Sequence, residues 1–230
     1  MKILAMDTSS SNATVALADN GKLTAEYTIS SERAHSQIIM PMAEDILSRA
    51  HVSVKDIDVF AVALGPGSFT GLRIGIAAMK TLASTLDKKI IGISSLDCVA
   101  ESFAYGDKYI CPIFDARRND VYNAIYDCSG KKIVQDRCCD FDELLIEMSD
   151  KNVIFAGDAI YKYKNKIESF EKHNWCIAPL NLSTQRASSV ASLAYKRALN
   201  NDFDNIMSVA PIYLRLPQAE REYNLIHGIK

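Results

Sequence analysis

The amino-acid sequence predicts an α/β chain that folds as two lobes built on one duplicated plan. Its 230 residues are 48% hydrophobic and 23% charged, a composition typical of a folded globular protein and not of a disordered one. Short apolar runs of strand length alternate with segments of helical periodicity. The order of these elements in the first half of the chain recurs in the second half, and that recurrence predicts the duplication.

The first unit is predicted as three strands, a helix and a fourth strand. Its opening apolar run ends at Asp7, and Asp19-Asn20-Gly21 marks a tight hairpin turn because glycine adopts positive φ angles easily. Apolar residues at helical spacing follow, and Gly65-Pro66-Gly67 closes the last strand. The predicted elements are strands at 2–6, 13–18 and 22–29, a helix at 34–50 and a strand at 59–64.

The second unit repeats this order, with Asp115 in the place of Asp7 and Gly157-Asp158 after the last strand. The predicted elements are strands at 109–114, 121–126 and 131–134, a helix at 141–148 and a strand at 153–156. We therefore predict an N-terminal lobe at residues 1–95 and a C-terminal lobe at residues 96–230, whose last helix is free to return to the first lobe. A binding cleft is expected where the two acid-bearing strand ends meet.

Charge and targeting signals exclude several classes of protein. The formal net charge of −2 supplies no general attraction for nucleic acid, although the basic pairs Arg117-Arg118 and Lys131-Lys132 could touch phosphate if they are not simply solvated. Asp7 comes too early for a secretory signal, and no apolar run is long enough to cross a membrane. We expect a cytoplasmic chain with no membrane partner, whose six cysteines are reduced.

The glycine-rich segment at residues 65–75 joins a predicted strand to a predicted helix, a junction that often binds phosphate. It lacks the third glycine of the dinucleotide fingerprint, the lysine of a P-loop and the G-x-S-x-G spacing of a nucleophile elbow. Because glycine is unfavourable inside a helix, Gly71 and Gly75 on one face predict the close approach of another backbone. A second apolar stripe, which includes Leu72 and Ile76, has to meet a neighbouring helix or a partner chain.

Candidate catalytic groups are scarce. The four histidines, at positions 35, 51, 173 and 227, have no metal-binding spacing, so we predict no catalytic residue and no metal. Asp7 and Asp115 could hold Mg²⁺ and a nucleotide across the cleft, but the loop after Asp7 has no glycine to wrap a phosphate. The residues predicted for this vestigial nucleotide cleft are Asp7, Thr8, Ser9, Asp115, Gly157 and Asp158.

Four segments, in the same order along the chain, resemble one family. They are residues 1–9 (MKILAMDTS), 63–75 (ALGPGSFTGLRIG), 115–122 (DARRNDVY) and 211–215 (PIYLR), and together they resemble the TsaB family, also called YeaZ. The resemblance covers nearly the whole chain. It implies the fold of the actin and heat-shock-ATPase (ribonuclease H-like) superfamily, a duplicated βββαβα unit, which agrees with the repeat described above.

The resemblance also implies a function. TsaB proteins are non-catalytic scaffolds for threonylcarbamoyl transfer to adenosine in tRNAs that read codons beginning with adenosine. They pair with a catalytic paralogue, TsaD, work with a small ATPase, TsaE, and form homodimers when alone. No cofactor is expected apart from a nucleotide at the joint with the partner, and tRNA is expected only within the complex. The metal ligands of TsaD correspond to Ser95 and Val99, which do not suit a metal.

In the family, the helix after the first meander and the glycine helix form half of a four-helix bundle with TsaD. The residues expected on that surface are Ile38, Met42, Leu72, Arg73, Gly75, Ile76 and Met79. Leucine at Gly75 is expected to block binding of the partner and to leave the fold intact.

The alternatives to a scaffold are a stand-alone ATPase or small-molecule kinase, and a peptidase, for which the motifs are missing. The tail at 218–223 is expected to pack as a short helix or to fray.

Overall fold

Two five-stranded sheets with equivalent strand order form the cores of the two lobes. The computed structural model describes residues 1–30, 35–103, 106–169 and 174–215. The strands of the first sheet are β1 (Lys2–Asp7), β2 (Asn12–Asp19), β3 (Lys22–Ser30), β4 (Val59–Gly65) and β5 (Lys89–Ser94). They lie in the order β3-β2-β1-β4-β5, in which β1 to β3 form an antiparallel meander and β4 and β5 run parallel to β1.

The second sheet repeats this topology. Its strands are β6 (Tyr109–Asp115), β7 (Asp120–Tyr126), β8 (Lys132–Asp140), β9 (Val153–Ala156) and β10 (Cys176–Ile177). The order β8-β7-β6-β9-β10 again has a meander of three antiparallel strands followed by two parallel ones. The predicted α/β duplication is therefore confirmed. The predicted tail at 218–223, and Ala34 at the predicted start of the first helix, lie outside the described residues.

Six α-helices cover the sheets in the part of the chain that the structure describes. They are α1 (His35–Arg49), α2 (Phe69–Thr85), α3 (Ser95–Ala100), α4 (Phe141–Glu147), α5 (Ile160–Glu168) and α6 (Ala187–Leu199). Because side chains alternate across a strand, β1 directs Leu4 and Met6 to the face covered by α1 and α2, and Ile3 and Ala5 to the opposite face. Helices α4 and α5 cover one face of the second sheet. None of these described helices is long and apolar enough to span a bilayer.

The last helix of each unit joins the two lobes. Helix α6, from the second unit, packs Val190, Ala191 and Ala194 against the small residues of the first sheet. Helix α3, from the first unit, packs Leu96 and Val99 against the second sheet. Small side chains on both sides let α6 approach the sheet closely. The C-terminal helix thus lies on the first lobe, while the boundary between residues 95 and 96 stays a prediction.

A strap at residues 209–215 also runs from one lobe to the other. The Ile212 N–H donates to the Leu64 carbonyl (2.7 Å), which fixes the strap to the end of β4. Tyr213 stacks on Phe69 at the start of α2, with ring centroids 4.5 Å apart. At its far end, Arg215 forms an ion pair with Asp120 of the second lobe (2.7 Å). The 209–215 strap therefore holds α2 and the β6–β7 loop in a fixed relation.

The loop after β1 packs backbone to backbone against the start of α2. A Cβ atom at Gly71 would lie 2.0 Å from the Thr8 carbonyl oxygen, and one at Gly67 would lie 2.2 Å from that of Ser9. Two hydrogen bonds close this contact, from the Thr8 hydroxyl to the Gly71 carbonyl (2.8 Å) and from the Ser68 N–H to the Ser9 carbonyl (2.7 Å). The backbone approach predicted at Gly71 thus occurs within this chain, whereas Gly75, on the same predicted face, lies against the Thr8 side chain.

Asp7 is buried beneath the same loop, with 1% of its surface exposed. Its Oδ1 accepts the Ser9 N–H (2.8 Å), whereas its Oδ2 has no hydrogen-bond partner among the described residues. Burial raises the pKa of Asp7 to about 6, because the hydrogen bond from Ser9 and the nearby His35 only partly offset the loss of water. The end of β1 therefore carries an acid that is partly protonated close to neutral pH.

We expect Gly71→Ala to destabilise the chain. The added methyl group meets the Thr8 backbone, so we predict a loss of roughly 1–3 kcal/mol in the free energy of unfolding, although alanine favours a helix over glycine by about 1 kcal/mol. Urea unfolding measures the change. Gly106→Ala is the control, because the nearest atom to its added Cβ is 3.6 Å away. Equal stability of Gly71→Ala and Gly106→Ala would contradict the proposed contact.

We expect Asp7→Asn to flatten the pH dependence of stability. The folded-state pKa lies above the ordinary value of 3.8, so the folded chain binds this proton more tightly than the unfolded chain does. The contribution is present below pH 4 and is lost as the pH rises through about 6, by on the order of 3 kcal/mol. Unfolding curves between these pH values check this, with Asp87→Asn at an exposed site as the control. An unchanged slope for Asp7→Asn would refute it.

Candidate functional site

A cleft of about 700 Å³ opens between the two lobes, where the ends of β1 and β6 approach each other. Its first wall consists of the loop after β1, the start of α1 and the start of α2. Its second wall consists of the end of β6, the loop that follows β6, and Asp158. The lining residues used below are Ser9, Ser10, His35, Arg73, Asp115, Asp158, Gln185 and Arg215.

The predicted cleft residues divide into two groups. Ser9, Asp115 and Asp158 line the cleft. Asp7, Thr8 and Gly157 do not, because they lie in the layer beneath it. Asp7 accepts the Ser9 N–H within the loop, and Thr8 holds the loop to α2. Gly157 has a φ of 98° and would place a Cβ 2.2 Å from the Ile113 carbonyl oxygen.

The expectation that Asp7 and Asp115 face each other across the cleft is wrong, for a reason of register. By the alternation of β1, Asp7 belongs to the face of Ile3 and Ala5, which α6 covers. By the alternation of β6, Asp115 belongs to the face of Cys111 and Ile113, which α4 and α5 cover. A shift of one residue reverses the face of a strand side chain, so acids at similar sequence positions need not be equivalent in space.

The second wall carries two carboxylates that are already engaged. Asp115 forms an ion pair with Lys162 (2.8 Å) and accepts the Arg117 N–H (2.9 Å). Asp158 accepts the Asp115 N–H (3.1 Å). Burial raises the pKa of Asp158 to about 6, and the neighbouring charge of Asp115 adds to that rise. The Mg²⁺ site expected from Asp7 and Asp115 would need both carboxylates in the cleft, and Asp7 is buried beneath the loop.

Three polar residues that line the cleft were not predicted there or were assigned elsewhere. Gln185 is 1% exposed, and neither atom of its amide has a hydrogen-bond partner among the described residues. His35 contacts the Ser10 carbonyl through Nε2 (2.7 Å), and its Nδ1 is buried without a partner in the same described part of the chain. Arg73 bonds the Tyr213 hydroxyl through Nε (2.8 Å). No local sequence signal distinguishes Gln185.

Five of the seven residues predicted for the partner surface are buried within this chain. The side chains of four of them are within the core of this chain, and Gly75 lies against the Thr8 hydroxyl. These five residues are Met42, Leu72, Gly75, Ile76 and Met79. Ile38 is half-buried and Arg73 is exposed. A Cβ at Gly75 would lie 2.4 Å from Thr8 Oγ1, so leucine there would disturb the fold before it could report on a partner.

Helix α2 nevertheless has an outward face. It presents the half-buried Ile74 and Ala78 and the exposed Ala77 and Thr81. An apolar groove of about 460 Å³ lies beside it, lined by Met40 and Pro41 of α1 and by Leu82 of α2, among others. The second apolar stripe thus covers the chain's own sheet and α1, and a separate, small-residue face is left at the surface.

The structure also places Ser95, Val99 and the basic pairs that the sequence singled out. Ser95 and Val99, the positions that correspond to the metal ligands of TsaD, are both fully buried in helix α3. No group of three or more potential metal ligands occurs within the described ranges. Of the basic pairs, Lys132 forms ion pairs with Asp97 of α3 and with Asp136 of its own strand β8 (2.6 Å each), so it is not a solvated charge. Lys131 is exposed to solvent.

Comparisons with known proteins agree with this architecture. The family model described as "TsaD: tRNA N6-adenosine threonylcarbamoyltransferase" matches residues 22–223. The TsaB protein of Bacillus subtilis (strain 168), a "tRNA threonylcarbamoyladenosine biosynthesis protein", is 34% identical over 229 residues, which cover 97% of this chain and 98% of that protein.

Solved structures extend the likeness. YeaZ from Pseudomonas aeruginosa has a TM-score of 0.74 and 25% identity, over 93% of this chain and 99% of that one. Component A of the (R)-2-hydroxyglutaryl-CoA dehydratase of Acidaminococcus fermentans shares the fold alone, with a TM-score of 0.52 and 12% identity over 86% of this chain and 99% of that one. From the end-to-end match to TsaB and YeaZ, this chain belongs to the TsaB (YeaZ) family of tRNA threonylcarbamoyladenosine biosynthesis proteins.

Proposed function

We propose that this chain is a non-catalytic scaffold subunit, required for threonylcarbamoyl transfer to adenosine in tRNAs that read codons beginning with adenosine. Family membership over 97% of the chain carries the proposal. The absence of catalytic chemistry is supported by Ser95 and Val99, which replace the metal ligands of TsaD and are packed in the core. The subunit acts in the cytoplasm by dimerising with a TsaD-type catalytic paralogue.

The outward face of α2 and the neighbouring part of α1 support a helical docking surface. Ala77, Ala78 and Thr81 are small, which allows another helix to approach closely. Met40 is 41% exposed and, with Pro41, borders the apolar groove beside α2. Two helices of the partner would complete a four-helix bundle on this surface. The isolated chain would use the same surface to form a homodimer.

The remaining partners follow from the same role. A TsaE-type ATPase and tRNA join only when the catalytic subunit is present, and a nucleotide binds at the joint between the two paralogues. The alternative function is a stand-alone ATPase or small-molecule kinase. The burial of Asp7 weighs against it, because the carboxylate at the end of β1 does not reach the cleft.

Reconstitution tests the scaffold role. A mixture of this chain, the TsaD-type and TsaE-type proteins, the adenylate synthase, threonine, bicarbonate, ATP and tRNA should form threonylcarbamoyladenosine. Omitting this chain should abolish most of the product, because the catalytic subunit lacks its dimer partner. Nucleoside analysis of digested tRNA measures it, and omission of the synthase is the control. Equal product without this chain would overturn the proposal.

We expect Ala77→Arg to weaken binding of the catalytic subunit by about tenfold or more, since a long cation would fill the small-residue face. Titration calorimetry measures the affinity. Tyr161→Arg adds the same charge at an exposed position of α5 in the other lobe and should bind normally. Both variants should unfold within about 0.5 kcal/mol of the wild type, since both positions are exposed. Wild-type affinity for Ala77→Arg would exclude this face from the interface.

A further inference from the structure

Helix α2 carries a single charged side chain on its outward face. Arg73 lies one helical turn before Ala77 and two turns before Thr81, so these three exposed residues form one line along the helix. The other cation of α2, Lys80, is half-buried and donates to the Val209 carbonyl (2.8 Å). A partner that lies along the outward face of α2 would therefore meet one cation, at the end of the helix that borders the cleft.

The charge of Arg73 has no counter-ion among the described residues. Its Nε donates to the Tyr213 hydroxyl (2.8 Å) rather than to a carboxylate, and α2 itself has no acidic residue. The other arginines that line the cleft differ in position and partner. Arg117 belongs to the β6–β7 loop, and Arg215 is paired with Asp120 of the second lobe (2.7 Å). The Nη groups of Arg73 therefore keep their donors for a group outside the described chain.

The 209–215 strap holds the Arg73 side chain in place. Tyr213 stacks on Phe69, with ring centroids 4.5 Å apart and ring planes inclined by 13°. The Arg73 guanidinium lies 5.7 Å from the centre of the Tyr213 ring, within the range of a cation–π contact. Tyr213 thus contacts Arg73 both through its hydroxyl and through its ring. An arginine that is already held in one position loses less side-chain entropy when it binds a partner.

The chemistry of this position fits a carboxylate of a protein partner. A planar guanidinium can donate two parallel hydrogen bonds to the two oxygens of one carboxylate. Arginine and tyrosine are also enriched among the residues that dominate the binding energy of protein interfaces. Because Ala77 and Thr81 are small, a partner helix can approach α2 closely enough for an acidic side chain to reach Arg73.

We propose that Arg73 anchors the catalytic subunit through an ion pair with a carboxylate of that subunit, and that Tyr213 positions Arg73 for this contact. The inference rests on the proposed scaffold function and deepens it, because it names the polar contact of the docking surface. It also orients the partner, whose acidic side chain lies near the start of α2 while its apolar side chains cover Ala77 and Thr81.

Binding of the catalytic subunit to the full chain tests the ion pair. Titration calorimetry at several salt concentrations, in EDTA and without nucleotide, compares Arg73→Gln with the wild type. The variant should bind about tenfold more weakly or worse, as expected for the loss of charge-assisted hydrogen bonds. Its affinity should also depend less on salt, since salt screens the charge that it lacks.

Lys164→Gln is the matched control, because it removes one positive charge from an exposed position of α5 in the other lobe. It should bind the catalytic subunit like the wild type. Arg73 is exposed, so Arg73→Gln should unfold within about 2 °C of the wild-type temperature. Equal losses of affinity in Lys164→Gln and Arg73→Gln would refute a specific ion pair.

A double-mutant cycle tests the role of Tyr213. Tyr213→Phe keeps the ring that stacks on Phe69 and removes the hydroxyl that holds the Arg73 Nε. It should weaken binding of the catalytic subunit by about threefold in the wild-type chain, and by nothing further in Arg73→Gln, because it acts through Arg73. Equal effects of Tyr213→Phe in both backgrounds would overturn the positioning role.

The outcomes separate this inference from the scaffold role. If the wild-type chain and Arg73→Gln bind the catalytic subunit equally tightly, the ion pair is refuted and the scaffold role stands. If Arg73→Gln binds more weakly only when a nucleotide is added, Arg73 acts on the nucleotide, and the ion pair is again refuted. Absence of binding by the wild-type chain would refute both proposals.

Discussion

The close contact between the loop after β1 and the start of α2 is the constraint on which the rest of the molecule depends. Thr8 and Ser9 lie so near Gly71 and Gly67 that no side chain fits between the two backbones. Two hydrogen bonds replace the missing side-chain contacts. This contact fixes the position of α2 over the first sheet. It also turns Asp7 away from solvent and leaves the serine side of the loop facing the cleft.

The position of α2 determines which surfaces remain for function. Its inner residues, such as Leu72 and Met79, are used by the core. Its first turn faces the cleft, where Arg73 contacts Tyr213 of the 209–215 strap. Its outward face has only small or half-buried side chains. One helix thus serves the core, the cleft and the proposed partner surface, and each use is restricted to a separate face.

The connection between the lobes follows from the duplication. Each unit ends in a helix, α3 or α6, that packs on the other unit's side of the molecule. The ion pairs of Lys132 with Asp97 and of Arg215 with Asp120 add contacts between elements distant in sequence. The cleft is therefore bounded by two lobes held together at several points. A scaffold that presents one fixed surface to a partner is consistent with such a frame.

The sequence by itself determined the class of fold, the duplication and most of the element positions. The strand predicted at 153–156 matches β9, and the helix predicted at 141–148 differs from α4 by one residue. Such elements can be predicted because hydrophobic periodicity and turn residues are local signals that span only a few positions. The glycine spacing also predicted the backbone contact that occurs at Gly71, but not the side-chain contact at Gly75.

Only the tertiary structure decided which face of each element is buried. The two apolar stripes of α2 were equally consistent with a core and with a partner, and Asp7 and Asp115 appeared equivalent until the register of each strand was known. Gln185 and the 209–215 strap have no local signal for their roles. Periodicity specifies that a face is apolar, but what covers that face depends on contacts between residues far apart in the chain.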